Sequence, residues 1–319
     1  MYYRGGESVN ASGTGSIVMS RIAVAVAAAL FLVTGCATTP EGSQRRAYEY
    51  TPAGYGGYFA VDVASNRALF QSIADALNPA VGAILGRTGE AAGAFNLFAG
   101  AAPEFALVAL GDYPKGPVQL ALRRDRTLSR QSTEIEGRRQ LYFVREDGSL
   151  QIAIPESGRI YAATGTVENL LAGDQGSPPP EVSVILSDVG TSGGPDAVLV
   201  LPDPAENVLA RLGIEARGFP VERVMLALTA DETPAEDSVD PAALTLSGAV
   251  TMASESQAGL LSRVGRFFIL AFMRGLGLDV QAGIESMEIG TEGSAMVFRN
   301  IPVREEEIVA LIQRMAVSE

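Results

Sequence analysis

Short runs of alternating hydrophobicity, each closed by turn-forming residues, recur along this chain and confine it to a largely antiparallel sheet. The strongest instance is residues 140–145 and 149–154, joined through Glu146-Asp147-Gly148. Asp-Gly adopts the left-handed backbone that a tight hairpin needs, and such a hairpin can only join antiparallel strands. Residues 58–64 alternate so that Phe59, Val61 and Val63 share one face. Residues 104–110 and 117–122 read as a second hairpin around Pro114-Lys115-Gly116. Further strands are expected at 159–164, 182–186, 197–201, 223–229 and 244–252, and at 284–289 paired with 295–299 through Glu292-Gly293. Residues 88–102 are Ala/Gly-rich, but no Gly-Lys-Ser/Thr follows, so a phosphate-binding loop is not indicated.

Helical periodicity is confined to fewer places. Ser65 can cap a helix with Leu69, Phe70, Ile73, Ala76 and Leu77 on one stripe, broken by Asn78-Pro79. Thr166 is expected to cap a short helix carrying Val167, Leu170 and Leu171, and Asp203-Pro204 opens another. Ser254 with Gln257 has the spacing of a capping box. The longest helix follows, with Leu260, Leu261, Val264, Phe267, Phe268, Leu270, Ala271 and Met273 read as its core face, and it stops at Gly275-Leu276-Gly277. Arg263, Arg266 and Arg274 recur within it, so it does not read as a bilayer span. A last helix is expected after Pro302, with Glu305, Glu306 and Glu307 in the first turn, where carboxylates suit the helix dipole. The class expected is α+β, with mainly antiparallel sheets and helices packed on one face. Phe105-Ala-Leu-Val-Ala-Leu and Val224-Met-Leu-Ala-Leu each follow a strand–helix unit, which points to two related halves. Their boundaries fall at 58–173 and 181–319, separated by a linker at 174–180 that includes three consecutive prolines.

The N-terminal stretch is of a different kind. Met19-Ser20-Arg21 precedes an apolar run from residue 22 to 32, then Val33-Thr34-Gly35-Cys36. The run is too short to span a bilayer and has the length of a signal-peptide core. The ending, an aliphatic residue, two small residues and a cysteine, resembles the lipobox of bacterial lipoproteins. The resemblance covers residues 19–36 and implies a diacylglyceryl group on the Cys36 thiol, with cleavage after Gly35. Ala37 in place of Asp favours, by the same resemblance, the outer membrane. Residues 1–35 are thus expected to be the signal peptide, with Met19 the better start, and residues 36–57 a lipidated tether.

Composition removes several kinds of chemistry. The chain has no histidine and one cysteine, so His-based triads and the usual zinc sites are absent. Lipidation would consume the cysteine. No Trp offers a sugar-stacking platform. The sole lysine, Lys115, sits among turn residues. A net charge of −13 is repelled by phosphate, so nucleic acid is not an expected partner. No cofactor or metal is expected.

Three clusters remain. Arg123, Arg124, Arg126, Arg130, Arg138, Arg139 and Arg145 stand against three acids in the same span, Asp125, Glu134 and Glu136. The first six are candidate contacts for an anion or a protein partner; alternatively they are a solvated strand edge. Residues 231–240 are rich in carboxylates without the spacing of a calcium loop. Tyr48, Tyr50, Tyr55 and Tyr58 read as packing on the body. The function that follows is a non-enzymatic interaction or scaffolding module of the bacterial envelope. Its partners are the membrane, through lipid at Cys36, and an envelope protein. The alternative is a lipid- or solute-binding lipoprotein with an apolar pocket between the long helix and a sheet; a carboxylate-based hydrolase is the least favoured reading.

Overall fold

The computed structural model describes residues 45–67, 71, 86–96, 104–173, 176–204, 221–230, 243–276, 280–304, 306–308 and 310. In chain order, a 3-10 turn (Ala47–Tyr50) leads to β1 (Gly57–Asp62), β2 (Thr88–Asn96) and β3 (Glu104–Gly111). Then come α1 (Lys115–Arg124), β4 (Leu128–Ile135), β5 (Arg138–Arg145), β6 (Gln151–Ala153) and β7 (Arg159–Ala163). They are followed by α2 (Val167–Ala172), α3 (Pro180–Ser187), β8 (Ala197–Pro202), β9 (Val221–Ala230) and β10 (Ala243–Met252). The remaining elements are α4 (Glu255–Leu276), α5 (Val280–Ser286), β11 (Glu288–Glu292) and β12 (Ala295–Arg304).

The twelve strands among the described residues form one sheet, in the order β11-β12-β10-β9-β8-β1-β2-β3-β7-β6-β5-β4. Every pairing in it is antiparallel. The fold is therefore α+β and antiparallel. The first strand of each expected half meets the other in the middle, where Tyr58 faces Val200 and Ala60 faces Val198 across β1 and β8.

The helices cover both faces of the sheet, which corrects the expectation of one. Side chains alternate along a strand, and residues directly opposite one another across a pair share a face. Tyr58, Ala60, Ala94, Ala106, Val108, Tyr161 and Val200 therefore point one way. On that front face they meet the 3-10 turn, Val167 and Leu170 of α2, and Val182 and Leu186 of α3. Phe105, Ala109, Ile160, Ile152 and Phe143 point to the back, where Val118 and Leu122 of α1 cover them. Leu226, Leu246, Met296 and Phe298 belong to the same back face and pack on Ile269 and Met273 of α4.

Two segments expected as strands are helices. In α1, Val118 and Leu122 are buried while Leu120 is 48% exposed. In α3, Val182 and Leu186 are buried while Val184 is 64% exposed. A strand would put positions 118, 120 and 122 on one face, whereas a helix turns the middle one away. Pro180 at the first position of α3 suits a helix start, since its missing N–H needs no partner there. The strand expected to begin at residue 284 begins at Glu288, because α5 occupies Ile284. Pro302 lies within β12, so any following helix starts beyond Arg304. The Ala/Gly-rich stretch at 88–96, which carried no alternation, is a central strand. At Gly93 an added Cβ would come 2.5 Å from the Ala106 carbonyl oxygen and 2.6 Å from the Phe59 ring, so closeness rather than side-chain bulk defines it.

Other expectations hold. The β5–β6 hairpin turns at Gly148 with φ +70°, and Asp147 accepts from the Ser149 backbone N–H at 3.0 Å. Gly173 ends α2 in the left-handed conformation, while Thr166 stands at its N-cap without a side-chain capping bond and the Val167 N–H donates to Gln151 Oε1 at 3.0 Å instead. Half of the capping box forms, with the Gln257 N–H donating to Ser254 Oγ at 3.4 Å; the Gln257 Oε1 has no partner. The helix expected over residues 69–77 lies outside the described residues.

Candidate functional site

Residues 46–57, assigned to the tether from sequence, are clamped to the front face. Arg46 Nε contacts Glu90 at 2.9 Å and its Nη2 donates to the Val189 carbonyl at 2.6 Å. The Ala47 N–H donates to the same Glu90 carboxylate at 3.2 Å, and Ala47 is fully buried. Farther on, the Arg159 guanidinium lies 3.8 Å over the Tyr50 ring and donates to the Tyr50 hydroxyl at 2.7 Å. It also bonds Glu156 and, at 3.1 Å, the Tyr161 hydroxyl. Burial raises the Tyr161 phenol above its ordinary value, and the Arg159 bond pulls against that. Gly56 N–H donates to Asn96 Oδ1 at 2.7 Å. Tyr58 is wholly buried, and Tyr48, Tyr50 and Tyr55 are half-buried and pack against the front-face core, so the four tyrosines pack on the body as expected. Gly35 and Cys36 lie outside the described residues.

The register brings only part of the arginine cluster to one face. Arg123 and Arg124 end α1 on the back face, and Arg126 follows in the turn before β4. The register sets Arg130 opposite Phe143, Glu134 opposite Arg139 and Leu128 opposite Arg145, which puts those three arginines on the back face too. Arg138, opposite Ile135, points to the front. Arg145 reaches Asp147 at 3.7 Å. Arg123, Arg124, Arg126, Arg130, Arg138 and Arg139 are all exposed, and among the described residues none of the six makes an ion pair.

The long helix departs from expectation in what it hides. Ile269 and Met273 are buried, but Leu260 is 54%, Val264 36% and Phe267 76% exposed. These three recur at helical spacing and form an outward stripe beside exposed Arg263 and Arg266. The apolar arc of α4 is wider than the sheet beneath it can cover. Sequence alone cannot distinguish a wide core face from a core face joined to an exposed stripe. The side chain of Phe268 lies outside the described residues.

A polar cleft of about 210 Å³ opens between the ends of β3 and β7 and α2, lined by Tyr55, Glu104, Thr164, Thr166 and Asn169 among others. It is not the apolar pocket anticipated beside Phe267. Among the described residues no cluster of His, Cys, Asp or Glu could hold a metal ion. The acidic stretch 231–240 lies outside the described residues. Lys115, expected in a turn, starts α1 with its Nζ on the Pro155 carbonyl. No described helix is long and apolar enough to cross a membrane.

No protein-family model matches the chain, and none of the curated proteins matches it in sequence. Solved structures do match in fold. Crystal form III of TP0453 aligns with a TM-score of 0.57 at 18% identity, covering 85% of this chain and 98% of that one. Crystal form IV gives 0.55 at 20% identity, with 83% and 96% covered, and crystal form I gives 0.55 at 18%, with 86% and 98%. The likeness extends over nearly the whole of TP0453 and concerns the fold.

Proposed function

We propose that the chain is a lipid-anchored, non-enzymatic interaction module of the bacterial envelope, and that the outer face of α4 is its principal contact surface. The observation that carries this reading is the stripe Leu260, Val264 and Phe267. Three large apolar side chains at one helical spacing, left in water beside arginines, are a standing cost unless something covers them. Aromatic and arginine side chains together are the composition of contact hot spots. The likeness to TP0453 supplies the fold behind the reading and no activity.

The anchor is the lipid proposed at Cys36. Cys36→Ser removes the thiol, so labelling with a fatty acid should fall to background; undiminished label would remove the anchor from the proposal. The contact surface is tested separately, with Leu260→Ser and Phe267→Ser combined in the full-length protein. Cross-linking in intact cells from a photoreactive group at position 264 should yield envelope adducts that the double substitution abolishes, with thermal stability unchanged. Identical adducts with and without the substitution would refute α4 as the contact.

A further inference from the structure

The outer edge of β4 ends the sheet, and among the described residues nothing pairs with it. Its backbone polarity can be assigned residue by residue. The Glu146 N–H donates to the Thr127 carbonyl at 3.0 Å, and a two-residue turn, Glu136-Gly137 with φ +51° and +71°, joins Ile135 to Arg138. Bonded pairs alternate along an antiparallel ladder, so residues 129, 131, 133 and 135 bond to β5. The N–H and C=O groups of Arg130, Ser132 and Glu134 therefore point away from the sheet. Residues 129–132 are all exposed.

We propose that this edge receives an extended, acidic segment of a partner protein as a thirteenth strand. The proposal rests on the reading of the chain as an interaction module but uses neither α4 nor the lipid. Main-chain hydrogen bonds would come from Arg130, Ser132 and Glu134, as in other additions to a sheet edge. Selection would come from charge. A strand laid beside β4 has carboxylates on its back-facing side chains within the field of Arg123, Arg124, Arg126, Arg130 and Arg139, and its front-facing ones near Arg138. Those six arginines have no ion-pair partner among the described residues, so an arriving carboxylate displaces only water. A basic edge on a chain of net charge −13 is thus open to an acidic strand.

The test uses the full-length protein and a synthetic decapeptide of alternating Glu and Thr, with a Lys-for-Glu version and an alternately N-methylated version as controls. Ser132→Pro is the discriminating variant. Its N–H points outward, so proline deletes an edge donor while leaving the bonds to β5 in place. The expected result is binding of the acidic peptide that weakens with salt, slows amide exchange across residues 128–135, and falls at least about tenfold in Ser132→Pro and in the combined Arg130→Gln, Arg138→Gln, Arg139→Gln variant. Equal binding to Ser132→Pro, or to the N-methylated peptide, would reduce the edge to nonspecific charge attraction and overturn the proposal. Failure of the peptide to bind while phosphatidylglycerol vesicles bind through the same arginines would overturn it in favour of a membrane contact. Because α4 is untouched, loss of the edge leaves the cross-linking result at position 264 standing.

Discussion

Several single side chains fix how this protein responds to its surroundings. Tyr113 is buried against Thr88, Tyr58 sits wholly inside the front face, and Tyr161 lies under Arg159. Burial raises all three phenols above the ordinary value of 10.0. A group with a raised folded-state value binds its proton more tightly when folded. Its contribution is whole below about pH 10 and is lost as the pH climbs past the unfolded value. With no histidine to titrate, thermal stability should be flat from about pH 6 to about pH 10 and should fall from there to about pH 11. Denaturation curves across that range check it, and a steep slope near neutrality would contradict it. At Gly93 the close approach to Ala106 and Phe59 predicts that Gly93→Ala costs about 1–3 kcal/mol, readable as a lower denaturation midpoint. A change within error would mean the two strands can part cheaply. Of the three tyrosines only Tyr58 read beforehand as packed on the body. Tyr113 and Tyr161 did not, since a buried tyrosine and an exposed one are the same letter, and the role of Gly93 depends on a carbonyl in another strand.

Elements were legible where the local signal was also the global answer. The β5–β6 turn, β7 with α2 behind it, β8, β9, β10 and the β11–β12 hairpin all combine a turn or cap with the right period. The misread elements are those of about two turns, where apolar residues at every second position also satisfy a four-residue spacing. In α1 and α3 the arbiter is which apolar residue stays wet, Leu120 or Val184, and that is a property of the packing. The arginine cluster was visible as a cluster, but its face was not. Residues 123–126 are helix end and turn, so no strand period runs through the cluster to fix its face. The edge of β4 was invisible because only the completed strand order shows which strand comes last. One further element can be tested directly. Glu90→Gln should weaken the hold of β2 on Arg46 and Ala47 and speed amide exchange in the 46–50 segment, with at most about 1 kcal/mol lost overall. Unchanged exchange would assign the docking to Ala47 and the Arg159–Tyr50 contact instead.

At the scale of the whole molecule, the sheet does not stop at the boundary between the two expected halves. β1 and β8 bond along residues 58–61 and 197–200, so each covers an edge of the other. A protein ending at residue 173 would leave the outer side of β1 open, with Tyr58, Phe59, Ala60 and Val61 on it. Such a piece should self-associate, as sedimentation would show; a stable monomer would mean the first half needs no partner strand.

The clamp at Arg46 has a consequence for reach. Ten residues separate position 46 from Cys36. Fully extended, they span about 35 Å. With lipid on Cys36, the body is leashed within that radius of the bilayer, and whatever shares the surface meets it at an effective concentration on the order of 10 mM. A contact with a millimolar dissociation constant, undetectable between free proteins in dilute solution, would then be mostly occupied. Lengthening the leash with a flexible insert before Arg45 should weaken capture of surface-bound partners while leaving binding of the same partners in solution unaltered.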